Sequence, residues 1–242
     1  MIANYYIVSI FFLIQIIISN HPVIISINLK EKDPDKNLIS NKENIQNIYK
    51  QINEPELNFE ALTYALKGYE FLKNKNILTN DSILTIIDYS KSSIYERFYV
   101  IDIYHKKILF KSLVAHGKNS GMEYATSFSN KKCSKKSSVG LFLTGETYYG
   151  KHGFSLRING LENNINNNAR ERAIVIHSAG YVNRIFIKNY GHLGRSFGCP
   201  ALPIYKHKNI INTIKNRSCL FIYYPDKNYL EESEIISNAD FT

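Results

Sequence analysis

Seven short runs of β-branched and aromatic residues follow one another between residues 82 and 224 of this 242-residue chain. The runs are SILTIIDYS, RFYVIDIY, ILFKSLVAHG, VGLFLTGETYYG, FSLRINGL, ERAIVIHSA and SCLFIYY. Runs of this length and composition, with Gly or Asn nearby, are typical of β-strands. Only His-Lys-Lys separates the second run from the third, which predicts a β-hairpin. We therefore expect a mainly β domain, built as a sandwich or a barrel.

Two further patterns predict helices. Phe59, Leu62, Leu66 and Tyr69 recur at steps of three and four residues, which places them on one apolar face of a helix. The stretch NIINTIK, which precedes the last strand, reads as a short amphipathic helix. Both helices are expected to pack against the sheet, so the predicted fold class is mainly β with a few helices.

The first 29 residues differ from the rest because no Lys, Arg, Asp or Glu precedes Lys30. Ile7 to Ile18 forms an apolar run of the length of a signal-peptide core, shorter than the ~20 residues of a membrane span. A basic leading region and a small-residue cleavage site are both missing. We expect residues 1–29 to be an export signal, cleaved or kept as an anchor; the alternative is a buried N-terminal helix or strand.

The remaining chain divides by composition. Residues 30–55 are polar, contain two prolines and are predicted to be a linker. Residues 56–226 hold the predicted strands and helices and form the folded domain. Residues 227–242 are predicted to be a loose C-terminal tail.

The chain carries a formal net charge of +9, which favours an anionic partner. Ile, Asn, Lys and Tyr are frequent throughout, a bias that A/T-rich codons also produce, so the charge is a weak indication of a basic binding surface. The lysine-rich stretch KKCSKKSS is typical of a solvated loop, and no aromatic-basic motif of an RNA-binding module occurs. We therefore expect no nucleic-acid partner. A hydrophobic content of 44% argues against a disordered protein.

Three cysteines occur, and an odd number leaves at least one thiol without an intramolecular partner. Cys219 lies in the apolar run SCLFIYY and is expected to be a core residue. Cys133 lies in the lysine-rich loop. A disulfide between these two is possible, although their spacing gives no argument for it.

Cys199 has a different setting, in the stretch GRSFGCPALP. Gly198 permits a backbone conformation that is closed to other residues, and Pro200 fixes the direction in which the chain leaves. A tight turn of this kind presents a side chain, and adjacent N–H groups can face a developing oxyanion. His177, at the end of the apolar strand AIVIHSA, is a candidate base for a nucleophilic thiol.

Two other readings of these residues remain open. His177 can be a strand-end histidine that is satisfied by a backbone carbonyl. His177, His192, Cys199 and His207 can also be imagined around zinc, but they lack the paired Cys-x-x-Cys or His-x-x-x-His spacing of zinc sites. We expect neither a metal nor an organic cofactor.

Seven segments resemble one family, in order: DYSKSSIYERFYVIDI, LVAHGKNSG, SSVGLFLTGETYYGKHGFSLRINGLE, NNNARERAIVIHSAGYV, GRSFGCPALP and IKNRSCLFIYY, together with the FSN that precedes the third of these. The family is the murein L,D-transpeptidase catalytic domain, YkuD-like, in the branch that ends in Ser-aromatic-Gly-Cys-Pro. The resemblance covers roughly residues 57 to 224. It implies an L,D-transpeptidase-like β-sandwich or barrel.

The resemblance implies a role for each matching residue. Cys199 matches the nucleophile and His177 the general base. Ser178 matches the residue whose backbone carbonyl orients the imidazole. Ser196 and Gly198 fall on the Ser-X-Gly-Cys motif, with the amides of Gly198 and Cys199 as oxyanion donors. Phe197 stands where most members have His, and this departure leaves the acceptor specificity open.

The implied reaction is a two-step acyl transfer on peptidoglycan stem peptides, which forms 3→3 cross-links through a cysteinyl thioester. An L,D-carboxypeptidase that uses water, or a non-catalytic wall-binding module, are the alternatives. Arg195 is predicted either to bind a substrate carboxylate or to support its loop. Ser196 and His116 are further predicted substrate-binding residues, and His152 is assigned to a loop or pocket lining. We expect a periplasmic or otherwise extracytoplasmic monomer that meets the membrane only through its N-terminal segment.

Overall fold

The computed structural model describes residues 42–237, which lie in one compact unit. Its eight strands are β1 (Ile83–Asp88), β2 (Phe98–Asp102), β3 (Lys107–Ser112), β4 (Gly140–Gly150), β5 (Gly153–Gly160), β6 (Val175–Ser178), β7 (Ala201–Leu202) and β8 (Cys219–Tyr223). Its helices are α1 (Lys42–Ile52), α2 (Phe59–Asn74), α3 (Arg184–Tyr190), α4 (His207–Ile214), α5 (Lys227–Glu232) and α6 (Glu234–Ser237), with a 3₁₀ turn at Asn167–Ala169.

The strands form one sheet in the order β3-β2-β1-β8-β4-β5-β6-β7. The neighbours are antiparallel except for β1 with β8 and β6 with β7, which are parallel. Ala115, shortly after β3, forms a bridge with Ala201 of β7, so the two ends of the sheet approach each other. The sheet is a nearly closed barrel, and the predicted mainly β fold class is confirmed.

The core lies on both faces of the sheet, and β8 shows how the sequence specifies this. Cys219, Phe221 and Tyr223 contribute to one apolar cluster together with α1 and α2. Leu220 and Ile222 contribute to a second cluster together with α4. Successive side chains of a strand point to opposite faces, so a continuous apolar run is needed where both faces are covered.

The seven predicted strand runs all form strands, and the predicted helices are present as α2 and α4. Asn58 caps α2, since its side chain accepts hydrogen bonds from the amides of Glu60 and Ala61. α4 buries Ile210, Ile211 and Ile214 against the sheet.

The linker predicted for residues 30–55 is corrected at its C-terminal end. Lys42–Ile52 forms α1, and Ile45, Ile48 and Ile52 are buried in the same cluster as α2. Their spacing puts them on one helical face, so contact with α2 stabilises a segment that is otherwise polar. The predicted domain of residues 56–226 therefore extends towards the N-terminus to include α1.

The predicted C-terminal tail of residues 227–242 is corrected in the same way. Tyr229 of α5 and Ile236 of α6 are buried. The Tyr229 hydroxyl and the Ser233 hydroxyl donate hydrogen bonds to the buried carboxylate of Glu162. Residues 227–237 are thus held on the domain by apolar burial and by a buried polar network.

All three cysteines are free thiols. Cys219 is fully buried on β8, as expected of a core residue. Cys133 is exposed and does not pair with it.

The predicted export segment of residues 1–29 lies outside the described residues. Among the helices of residues 42–237, none has both the length and the apolar composition that a membrane span requires.

Candidate active site

Cys199 lies in a tight turn between α3 and β7. The Gly198 N–H donates to Ser196 Oγ at 3.0 Å, and Ser196 Oγ donates to the Cys199 carbonyl at 2.6 Å. Gly198 has a φ of +129°, and a Cβ at this position would lie 2.8 Å from the Lys136 carbonyl oxygen. Only glycine fits both conditions, so the residue before the thiol is dictated by backbone conformation and by space.

His177 is brought to this turn by the parallel pairing of β6 with β7. His177 is the register partner of Ala201, and its N–H donates to the Pro200 carbonyl at 3.3 Å. Continued by two residues, the same register sets Cys199 opposite Val175, and the Val175 N–H contacts Cys199 Sγ at 3.5 Å. Residues two apart on a strand share a face, so His177 and Cys199 are diagonal neighbours across the pair.

The His177 ring is oriented by its neighbour in the chain. His177 Nδ1 lies 2.9 Å from the Ser178 carbonyl oxygen, which makes Nδ1–H the donor and leaves Nε2 with a free lone pair. The ring is buried, and burial lowers the pKa of His177 below 6.5, assisted by the nearby His152 and His207. The imidazole is therefore neutral at neutral pH, the form that a general base requires.

The thiol is also uncharged in this arrangement. Cys199 Sγ donates to the Ala173 carbonyl at 3.7 Å, and within residues 42–237 no hydrogen bond joins it to the His177 ring. Burial raises the pKa of the Cys199 thiol, whereas the Val175 N–H and the positive charge of Arg172 act in the opposite direction. Ala173, whose carbonyl accepts the hydrogen bond from the thiol, has a φ of +53°, which is unusual for a residue with a Cβ.

The two predicted oxyanion donors are not equivalent. The Gly198 amide is occupied by Ser196 Oγ, as described above. The Cys199 amide makes no hydrogen bond within the described part of the chain. An oxyanion formed at Cys199 would therefore find this amide available without any rearrangement.

The predicted substrate-binding residues lie around the turn and are engaged with protein atoms. Ser196 Oγ donates a hydrogen bond to the Cys199 carbonyl within the turn. Arg195 Nη1 donates to the carbonyls of Lys118 and Gly121, both at 3.1 Å, as in the loop-support reading. His116 is buried, accepts at Nδ1 from Arg97 Nη2 at 2.8 Å, and has Nε2 3.3 Å from the Gly121 carbonyl. Their contact with a substrate stays a prediction.

Sequence reasoning gave one basic residue near the site, Arg172, no role, and it assigned a second, His152, only to a loop or pocket lining. His152, at the tip of the β4–β5 hairpin, stacks on His177 with 4.4 Å between ring centroids and 25° between planes. Arg172 directs both terminal nitrogens to the loop of residues 129–138, donating to the carbonyls of Ser129 and Lys136. The sequence signal for Arg172 was its position immediately before the apolar run AIVIH, which ends at His177. No local pattern in the sequence could predict that His152 stacks on His177.

The zinc reading of the sequence has no counterpart in the described structure. In residues 42–237, His, Cys, Asp and Glu side chains form no group of three or more that could hold a metal ion.

The model of the L,D-transpeptidase catalytic domain family matches residues 53–223. No curated protein sequence matches the chain. Among solved structures, an L,D-transpeptidase from Mycobacterium smegmatis is 13% identical with a TM-score of 0.37, and 59% of each chain is covered. The chain thus spans less than two thirds of that protein.

Two other solved structures are similarly distant. The helical cell shape determining protein Pgp2 from Campylobacter jejuni is 14% identical with a TM-score of 0.38, covering 66% of this chain and 57% of that one. An L,D-transpeptidase from Stackebrandtia nassauensis is 10% identical with a TM-score of 0.36, covering 76% and 78%.

Proposed function

This chain belongs to the L,D-transpeptidase catalytic domain family, and we propose that it is a cysteine-dependent acyltransferase that cross-links peptidoglycan stem peptides. The observation that carries the proposal is the β6–β7 pairing, which sets Cys199 beside a neutral, oriented His177. Nucleophilic catalysis by a thiol needs such a base because the thiolate is the attacking species.

The reaction begins when the Cys199 thiol exchanges its hydrogen bond to the Ala173 carbonyl for one to His177 Nε2. Nε2 takes the thiol proton, and the sulfur forms a bond to the carbonyl carbon at the L-centre of diaminopimelate. The carbonyl oxygen becomes an oxyanion, which the Cys199 amide stabilises. This intermediate collapses, the C–N bond to D-alanine breaks, and His177 returns its proton to the leaving amine.

The second half releases the thioester. An amine of another stem attacks the thioester carbonyl, His177 takes a proton from that amine, and the sulfur leaves and regains a proton. The product is a 3→3 cross-link. If water replaces the amine, the same groups give an L,D-carboxypeptidase, which is the alternative within the same chemistry.

Peptidoglycan lies outside the cytoplasmic membrane. We therefore place the protein in the periplasm or another extracytoplasmic space, with residues 1–29 as the export segment.

The test uses the thiol directly. Wild-type protein, Cys199→Ala and His177→Ala are each incubated with a carbapenem and weighed intact. We expect a drug-sized adduct on the wild type, none on Cys199→Ala, and acylation at least about 100-fold slower on His177→Ala near neutral pH, since the thiol then lacks its base. A wild type that acquires no adduct, or a His177→Ala rate equal to the wild-type rate, would contradict the proposal. Mass analysis of stem tetrapeptide products then separates the dimer from the trimmed tripeptide.

A further inference from the structure

Phe197, two residues before the nucleophile, is 68% exposed and lies between two lysines. The Lys118 and Lys135 ammonium groups lie 5.1 and 5.3 Å from the centroid of its ring. We propose that Lys118, Lys135 and Phe197 form a binding subsite for the carboxylates of the acyl-donor stem peptide. This inference rests on the proposed function, because it names the chemistry by which the same site recognises its substrate.

The backbone positions that carry the three side chains are held together by hydrogen bonds. The Lys118 N–H donates to the Ser196 carbonyl at 2.8 Å, and the Asn119 N–H donates to the Lys135 carbonyl at 3.2 Å. Ser137 Oγ donates to the Gly198 carbonyl at 3.0 Å and accepts from the Gly117 N–H at 3.0 Å. These bonds join three separate segments of the chain, namely residues 117–119, 135–137 and 196–198.

Gly117 shows how closely these segments approach. A Cβ on Gly117 would lie 2.6 Å from the Lys135 carbonyl oxygen and 2.9 Å from Gly198 Cα. No side chain fits at that point. The backbone that carries Lys135 and the backbone of the turn that carries Phe197 therefore both lie directly against Gly117. The subsite is thus built on the same rigid junction as the nucleophile.

The charge of the subsite is uncompensated. Neither Lys118 nor Lys135 forms an ion pair within residues 42–237, although other lysines of the chain do, such as Lys132 with Glu171. Two ammonium groups near one ring repel each other, and the ring face offers only weak compensation at an exposed position. Incoming carboxylates relieve this repulsion and accept charge-assisted hydrogen bonds from the ammonium groups.

Phe197 supplies the second half of the recognition. Its exposed ring offers an apolar surface beside the two cations, which suits a peptide that carries carboxylates on short aliphatic side chains. An anionic ligand without an apolar portion would use only the lysines. The combination therefore favours an acidic peptide, and its position next to Cys199 makes that peptide the acyl donor.

The test measures binding without turnover. In a Cys199→Ala background, calorimetry compares a stem tetrapeptide with the same peptide whose carboxylates are all carboxamides. Lys118→Gln with Lys135→Gln should weaken binding of the acidic peptide about five- to tenfold, the effect of losing two partly exposed charge contacts. Binding of the amidated peptide should change less than about twofold, since it offers no charge for the lysines to pair with.

Lys50→Gln with Lys107→Gln is the matched control. Both residues are exposed and removing both changes the net charge equally, so this variant should bind both peptides as the background does. Thermal unfolding checks that all variants are folded. Equal losses on the two peptides, no loss on either, or an equal loss in the control would each overturn the subsite.

The outcome for the subsite is separable from that for the proposed function. If the Cys199→Ala protein binds both peptides equally while the wild type processes the tetrapeptide, the subsite is wrong and the proposed function stands. If binding is selective for the acidic peptide but the wild type forms neither product nor carbapenem adduct, the subsite stands and the acyltransferase function fails.

Discussion

Cys199 and His177 are both uncharged in this structure, and burial is the main cause in each. Burial raises the pKa of the Cys199 thiol and lowers that of the His177 imidazole. A buried ion pair would need compensating hydrogen bonds for both ions, and among residues 42–237 Sγ accepts from only one backbone N–H, that of Val175. In the proposed reaction the thiolate is therefore expected to form only when a substrate carbonyl is in place to react with it.

His152 offers a test of this arrangement at the scale of one residue. His152→Ala removes the ring that covers His177, which exposes the imidazole to water and removes one nearby basic group. The pKa of His177 should rise towards 6.5, so the acid limb of the acylation rate against pH should move to higher pH. Rates well above pH 6.5, where His177 is neutral in both proteins, should change much less.

Carbapenem acylation followed across the pH range by intact mass provides the measurement. His105→Ala, which alters an exposed histidine on the β2–β3 turn, is the control and should leave the acid limb in place. An acid limb that does not move in His152→Ala would show that the stacked ring has no influence on the base.

At the scale of elements, the short helices at the two ends of the described chain were the hardest to predict. α1 has an apolar stripe of Ile45, Ile48 and Ile52, but its remaining residues are mostly polar and Pro55 follows soon after. Helices this short are marginal alone, and contact with α2 decides that this one forms. α5 and α6 likewise depend on the buried Glu162, which local sequence could not reveal.

Ile45→Ala tests whether α1 is part of the domain. Ile45 is 1% exposed, so its truncation should lower the free energy of unfolding by about 2–4 kcal/mol. Urea unfolding followed by circular dichroism measures the change. Gln46→Ala, at the adjacent exposed position, should change it by less than about 0.5 kcal/mol. Equal effects of the two substitutions would mean that α1 contributes no core.

The strands were predictable because both faces of β1 and β8 are covered, which demands the long apolar runs seen in the sequence. Cys199 and His177 could be named as the candidate nucleophile and base from the family motif, and these roles stay predictions. Their mutual placement could not be predicted, because it depends on the register of two strands, β6 and β7, of which β7 is only two residues long. The order of strands in the sheet was equally hidden, since β8 enters between β1 and β4.

At the scale of the whole molecule, acid sensitivity is linked to His116. Burial, with Arg97 nearby, lowers the pKa of His116 to about 3, against 6.5 for an unhindered histidine. Below pH 6.5, His116 is therefore protonated in the unfolded chain but stays neutral in the folded chain. The contribution of the neutral His116 to the free energy of unfolding is fully present above pH 6.5. It declines as the pH falls towards 3, by at most about 1.4 kcal/mol per pH unit.

His116→Gln should remove this contribution. Urea unfolding between pH 6.5 and 4 should show a shallower loss of stability with acid in the variant than in the wild type, whatever its stability at pH 7. His105→Gln, which removes an exposed histidine and its surface contact with Asp102, should change the slope much less than His116→Gln does, since an exposed pair contributes little. Parallel slopes for His116→Gln and the wild type would contradict the assignment of a neutral buried His116.

The bridge between Ala115 and Ala201 has a consequence for the stage of folding at which the surroundings of Cys199 are complete. This bridge joins residues far apart in the chain and lies directly after the Cys199 turn. Contacts between distant residues carry the largest closure cost, and they form late in folding when local structure is already present. Before β7 is held between β6 and Ala115, Cys199 has neither the Ala173 carbonyl nor the His177 ring beside it. A chain that has not finished folding thus carries an ordinary cysteine, and the particular surroundings of Cys199 exist only once the barrel is complete.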